Sequence, residues 1–252
     1  MKSLVRALAI GLVAAGVGVI VGRMLAPKPK PIPAEPLGRL KYGNEMFAKG
    51  KLLPPAVDEM TRYKLATEGQ KPVAVVVSCS DSRVPPEIIF NQGLGDLFVV
   101  RTAGNVVDEV GLASIEYAVE HLKAPLIVVL GHTQCGAVKA AIAGKPLEGH
   151  LPKLVEHIAP VLRWLRQTHP HLKGDSLEER AIQEHVRHVV QSIYERSAVV
   201  QKLYRLGKVE FAAGIYHLRE GKVEWLKLPE SLASHALKEA TSSHECAHEK
   251  GH

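Results

Sequence analysis

Two short segments of this 252-residue chain concentrate its reactive side chains. Ser78 to Arg83 reads Ser-Cys-Ser-Asp-Ser-Arg and brings a soft metal ligand, a carboxylate and a guanidinium close together. Gly131 to Gly136 reads Gly-His-Thr-Gln-Cys-Gly and adds His132 and Cys135. Two thiolates and one imidazole suit a borderline-soft ion such as zinc. A structural zinc site has four protein ligands, and its cysteines commonly arrive in close pairs. Here one isolated Cys79 is followed much later by His-x-x-Cys, so the fourth position is open to water or filled conditionally. Asp81 is the residue able to fill it. If Arg83 pairs with Asp81 through its planar fork, the carboxylate stays ionised, turned from the metal and able to accept a hydrogen bond from a metal-bound group. Without that pairing, Asp81 could ligate the metal itself; an isolated Asp-x-Arg could also simply cap a turn.

Both segments follow apolar runs. Val73 to Cys79, short, β-branched and preceded by Lys71-Pro72, predicts a buried strand, as do Leu97 to Val100 and Leu126 to Leu130. Leu37, Leu40 and Phe47 at helical spacing, stopped at Gly50, predict an N-terminal helical arm. Pro85-Pro86 can open a short helix through Phe90. Leu112, Ile115, Val119 and Leu122 predict an amphipathic helix over Gly111 to Leu122. A further helix over Gly136 to Ala143 would set Cys135 near its start, where the dipole favours a thiolate. Long helices are expected over Leu151 to Gln167 and Ser176 to about Leu206, the second opened by a Ser176 and Glu179 capping box. Val209 to Leu218 and Lys222 to Leu226, turned at Glu220-Gly221, predict a terminal hairpin. This alternation points to an α/β fold with a mainly parallel central sheet flanked by helices. Sites in such sheets form beyond the carboxyl ends of strands, where Cys79 and His132 both fall.

Length and composition fit one folded domain, with 46% hydrophobic and 23% charged residues. Three cysteines make no disulfide framework, since two belong to the motif and Cys246 lies in a polar tail. Lys2, Arg6 and Arg23 supply half of the net charge of +6. With no clustered basic and aromatic face besides, no nucleic acid is expected as a partner. Ala7 to Gly22 is an apolar run behind Lys2 and Arg6, the layout of a signal peptide or signal anchor, assigned to residues 1–26. Export is therefore expected, to the periplasm, either as a soluble chain after cleavage or held at the membrane by this segment. Pro27, Pro29, Pro31, Pro33 and Pro36 predict a stiff linker over 27–36. The folded domain is assigned to 37–230. Residues 231–252, with His235, His244, Cys246, His248 and His252, predict a solvated, disordered tail.

Cys-Ser-Asp-Ser-Arg at 79–83, Gly-Asp-Leu-Phe-Val-Val-Arg at 95–101, Ala-Gly-Asn at 103–105 and Gly-His-Thr-Gln-Cys-Gly at 131–136 resemble the β-class carbonic anhydrases, in order and spacing, within a likeness that covers most of 37–229. The resemblance implies one Zn2+ per subunit on Cys79, His132 and Cys135, an Asp81 and Arg83 dyad, and a homodimer or larger homo-oligomer whose N-terminal arm packs on a neighbouring subunit. It implies reversible hydration of carbon dioxide to bicarbonate and a proton through zinc-bound hydroxide, oriented by Asp81, which Arg83 fixes in turn. Two thiolates neutralise the ion more than three imidazoles would, so activity is expected to rise towards mildly alkaline pH. Val84 and the backbone about Gly136 are expected to border the substrate pocket. Gln92 is expected to donate to bicarbonate, although it stands one position further from Gly95 than in plant-like members. Val76 stands where members with a regulatory bicarbonate site carry a tryptophan, so such inhibition is not expected. Hydrolysis of carbon disulfide or carbonyl sulfide on the same ligands, and a non-catalytic zinc-binding envelope protein, are the alternative readings.

Overall fold

Five strands, β1 (Ala74–Cys79), β2 (Leu97–Thr102), β3 (Leu126–His132), β4 (Glu210–His217) and β5 (Lys222–Leu226), form one sheet in the order β2-β1-β3-β4-β5. The first four run parallel and β5 returns antiparallel to β4, completing the expected hairpin. This computed structural model describes residues 31–52, 57–228 and Leu232. The expected signal or anchor, the start of the proline-rich linker, and the His-rich tail with Cys246 lie outside those residues. Among the described residues no helix is long and apolar enough to cross a membrane.

β1 and β3 are buried at every position because helices cover both faces of the sheet. Their side chains alternate between two cores, as strand geometry requires. Val75, Val77, Ile127 and Val129 join a larger core beneath α4 (Glu109–Glu120), α6 (Leu151–Thr168) and α7 (Gly174–Arg196). Ala74, Val76, Val128 and Leu130 join a smaller one with Leu40 of α1 (Pro36–Ala48) and Ile89 of α3 (Pro86–Ile89). From β1 the chain moves outward to β2, then crosses back through α4 to β3 on the other side of β1. The carboxyl ends of β1 and β3 therefore flank the switch in winding direction, the place where an open parallel sheet forms a crevice. Gly131 closes that crevice from one side. A Cβ there would lie 2.5 Å from Val186 Cγ2, so glycine lets α7 pack directly over the end of β3.

The N-terminal arm α1 is capped by the Glu35 side chain, which accepts from the Leu37 and Gly38 N–H groups, and Pro36 takes the first turn. Expected to pack on a neighbouring subunit, this helix is fastened to its own chain. Asn44 Nδ2 donates to Gly221 O at 3.0 Å and Ile89 O at 3.3 Å, and Oδ1 accepts from Val223 N–H at 2.8 Å.

Three local features differ from the sequence expectations. Helix α2 (Glu59–Glu68) was not foreseen; it buries none of its residues and so leaves no apolar stripe to find. Helix α7 begins at Gly174, two positions before the expected cap, and Ser176 sits inside the first turn with its hydroxyl donating to Lys173 O at 2.8 Å. The single helix expected to run to Leu206 is two, α7 and α8 (Ala198–Arg205). They break at Ser197, whose backbone is extended at φ −115°. The buried Ser197 hydroxyl accepts from Val200 N–H at 3.0 Å and donates to Glu116 at 2.6 Å, a tertiary contact that outcompetes helix continuation.

Candidate metal centre

Parallel pairing sets Ser78 opposite Leu130, so Cys79 and His132 end neighbouring strands on the same side of the fold. Gln134, in the left-handed region at φ 57°, turns the chain so that Cys135 becomes the N-cap residue of α5 (Gly136–Ala143). Cys79 Sγ, Cys135 Sγ and a His132 ring nitrogen lie within 4.8 Å of one another, and all three residues are buried.

The tautomer of His132 follows from its surroundings. Nδ1 lies 2.9 Å from Thr133 O, which can only accept, so Nδ1 carries the proton and Nε2 presents a lone pair. That Nε2 is buried with no hydrogen-bond partner among the described residues. Thr133 is itself held by β4, its N–H donating to Tyr216 O at 3.0 Å and its Oγ1 accepting from Leu218 N–H at 3.1 Å.

Cys79 Sγ accepts from the backbone N–H of Asp81 at 3.4 Å and of Gly104 at 3.3 Å. A hydrogen bond from Cys135 is the main force holding the Cys79 thiol well below its ordinary pKa; the two backbone donors assist, and burial opposes them. Cys135 moves upward, because it shares its proton with Cys79 and is buried. A metal ion bound here would displace the thiol protons, so its binding would release protons to solvent.

The Asp81 and Arg83 fork is formed as expected. Arg83 Nε donates to Oδ1 at 2.9 Å and Nη2 to Oδ2 at 2.7 Å, with the Arg83 backbone N–H also on Oδ1 at 2.9 Å. These bonds, those of the Arg83 side chain foremost, hold the Asp81 carboxyl far below the usual carboxylate range. With both oxygens engaged, Asp81 lies outside the Cys-His-Cys group. Arg101 is the site residue that sequence reasoning quoted without giving it a role. Its Nε donates to Cys79 O at 3.0 Å and its Nη2 to Asp81 O at 2.7 Å, clamping the backbone on which the thiolate and the dyad stand. The signal for it is register: Arg101 pairs with Ser78 across β1 and β2.

The three residues expected at the substrate pocket differ in exposure. Gly136 is exposed, and a Cβ there would meet nothing within 4 Å, so open space faces it beside Cys135. Val84 is fully buried in the smaller core, where Ile89 and Phe90 join it. Gln92 is buried, with Nε2 turned to Phe90 O at 2.6 Å, and it lines a cavity of about 370 Å³ shared with Leu52, Ile88 and Leu94.

A Cys-His-Cys group able to hold a metal ion, set at the switch point of a parallel sheet, is the layout of an α/β enzyme site, in contrast to a small domain knotted by zinc. The family model described as carbonic anhydrase matches residues 74–223, a span that contains every residue of the centre. The carbonic anhydrase of Mycolicibacterium smegmatis is 43% identical over 189 residues, covering 73% of this chain and 89% of the relative. Carbonic anhydrase 2 of Mycobacterium tuberculosis is 44% identical over 187 residues, covering 73% and 87%. Among solved structures, the β-carbonic anhydrase CcaA superposes with a TM-score of 0.63 at 28% identity, covering 76% of this chain and 95% of that one. One of two tetrameric β-carbonic anhydrases from Sordaria macrospora gives 0.62 at 25% identity, covering 73% and 93%. The chain belongs to the β-class carbonic anhydrases.

Proposed function

We propose that this carbonic anhydrase interconverts carbon dioxide and bicarbonate with one zinc ion held by Cys79, His132 and Cys135 and with Asp81 and Arg83 beside it. The observation that carries the reading is the buried His132 Nε2, unpartnered among the described residues, grouped within 4.8 Å of two buried cysteine sulfurs, a donor set of the softness zinc prefers. When bound, zinc supplies the Lewis acidity that makes water nucleophilic near neutral pH. The chain's own residues do the rest. Thr133 O fixes the His132 tautomer so that the ligating lone pair is permanent. The Asp81 and Gly104 N–H groups hold the Cys79 sulfur in place as a hydrogen-bond acceptor. Arg83 keeps Asp81 ionised, and the carboxylate can accept a proton of the nucleophile in a hydrogen bond and so aim its lone pair at carbon. The open side of Gly136 leaves room for a small linear substrate.

Metal analysis with stopped-flow hydration assays tests this reading. One zinc per chain is expected, with a rate that rises between about pH 6 and 9; a flat profile, or zinc-loaded protein inactive on carbon dioxide but active on carbonyl sulfide, would overturn it. The reading includes a homo-oligomer, supported by the tetrameric relatives from Sordaria macrospora, and a monomer in sedimentation would remove that part. It also includes export to the periplasm, supported by the charged-then-apolar layout of residues 1–26. Cell fractionation with sequencing of the mature N-terminus separates cleaved, anchored and non-exported forms.

A further inference from the structure

We infer that His185 is a positioning residue for the metal centre, acting on Cys79 through Gly104. The inference rests on the zinc reading above and assigns a role to a side chain that does not touch the ion. His185 projects from α7, is 1% exposed, and places Nε2 2.8 Å from Gly104 O. A carbonyl oxygen only accepts, so Nε2–H is the donor and the imidazole is the neutral Nε2–H tautomer. Burial supports the same state by pushing the His185 pKa down to about 4; nearby His188 and His157 add to this, and the Gly104 bond and Cys79 oppose it.

Gly104 is a pivot that needs such a hold. It sits at φ 68° and is followed by Asn105 at φ 45°, two successive left-handed residues. A Cβ on Gly104 would lie 2.8 Å from Ala137 Cβ, so no other residue fits. Glycine leaves the peptide planes on either side of its Cα unusually free to rotate. One plane carries the N–H that donates to Cys79 Sγ at 3.3 Å, and the next carries the oxygen that His185 grips. Fixing the second plane aims the first. A hydrogen bond to a thiolate draws charge from sulfur, so the sulfur donates less to the metal and the metal remains a stronger Lewis acid. Packing does not account for the imidazole: His185 Nδ1 is buried without a partner among the described residues, and leucine would fill the space without that orphan.

The experiment compares His185→Leu, which removes the donor, with His185→Gln, whose amide nitrogen lies the same number of bonds from Cα. Zinc affinity is read by chelator competition, and sulfur donation by the thiolate-to-cobalt charge-transfer band of cobalt(II)-substituted protein. His185→Leu should weaken zinc binding about tenfold, because a misaimed Gly104 N–H no longer favours the thiolate over the protonated thiol that competes with the metal. It should also move the band to longer wavelength, because the sulfur left is the more electron-rich. His185→Gln should restore both. A folded leucine variant with unchanged affinity and band overturns the inference, as does a folded glutamine variant that behaves like leucine. In the wild type, nitrogen-15 histidine spectra should show a neutral Nε2–H ring throughout the pH range of activity; an Nδ1–H tautomer or a titration there overturns it even if the leucine variant fails to fold. A wild-type protein that takes up no zinc would instead defeat the functional reading beneath it, before any variant is made.

Discussion

Two buried polar clusters brace the same sheet and are finished differently. At the β5 edge, Asn44 ties α1 to the hairpin, and both the nitrogen and the oxygen of its amide are engaged by backbone groups. Around the carboxyl ends of β1 and β3, Ser78 Oγ, Asn105 Nδ2, His132 Nε2 and His185 Nδ1 have no partner among the described residues. An unsatisfied buried polar atom costs roughly 1–3 kcal/mol, so a scaffold gains nothing by collecting them. Gln92 Oε1 and Arg180 Nε are the other two buried atoms without a hydrogen bond among the described residues, so four of six gather where stability yields to chemistry, while the Asn44 amide is satisfied.

Breaking the unsatisfied cluster should have the largest effect. Cys135→Ser is expected to lose zinc and roughly a thousandfold or more in hydration rate, since generation of the nucleophile goes with the metal, while circular dichroism stays that of a folded α/β protein. Arg83→Ala should keep its zinc by metal analysis and still lose about a hundredfold in rate, because Asp81 is then no longer held. An active, zinc-replete variant would remove the dyad from the mechanism. His185 sharpens the comparison through pH. Its pKa falls from 6.5 in the unfolded chain to about 4 in the fold, so the unfolded state binds the extra proton in between. The stability conferred by the neutral ring is full above about pH 6.5 and is lost as pH falls towards 4, up to about 3 kcal/mol. Urea unfolding at both ends of that window should show the loss, and His185→Gln should flatten it. The smallest effect belongs to the satisfied cluster: Asn44→Ala should cost about 2 kcal/mol of stability and leave zinc content and turnover unchanged. Loss of zinc in that variant would erase the distinction between the two clusters.

What could be read in the sequence follows the same division. β1 and β3 are short β-branched runs covered on both faces, so their existence, their parallel character and the position of Cys79 and His132 at their ends were legible from local pattern alone. The Asp81 and Arg83 fork was legible because its partners are two residues apart. Arg101 and His185 act across 22 and 81 positions, through register and through the approach of α7, and no local spacing announces either. The break at Ser197 was hidden for the same reason, since its cause is Glu116 on another helix. The packing of Val84 was hidden because its neighbours in sequence carry the chemistry while its own side chain joins Ile89 and Phe90 in the smaller core.

The parallel pairing of β1 with β3 also sets the order in which this protein is assembled. Cys79 and His132 come together only after the chain has passed through β2 and α4 and closed a long crossover, a slow, non-local step. Before it, only His132 and Cys135 of the three ligands are close in the chain, and Cys79 is still apart from them. The layout is thus unlike that of a zinc finger, whose ligands are close in sequence and whose folding the metal drives. If the sheet forms first and the ion arrives second, a chelator leaves a folded apoprotein that recovers its metal without refolding, which circular dichroism during chelation and zinc return checks.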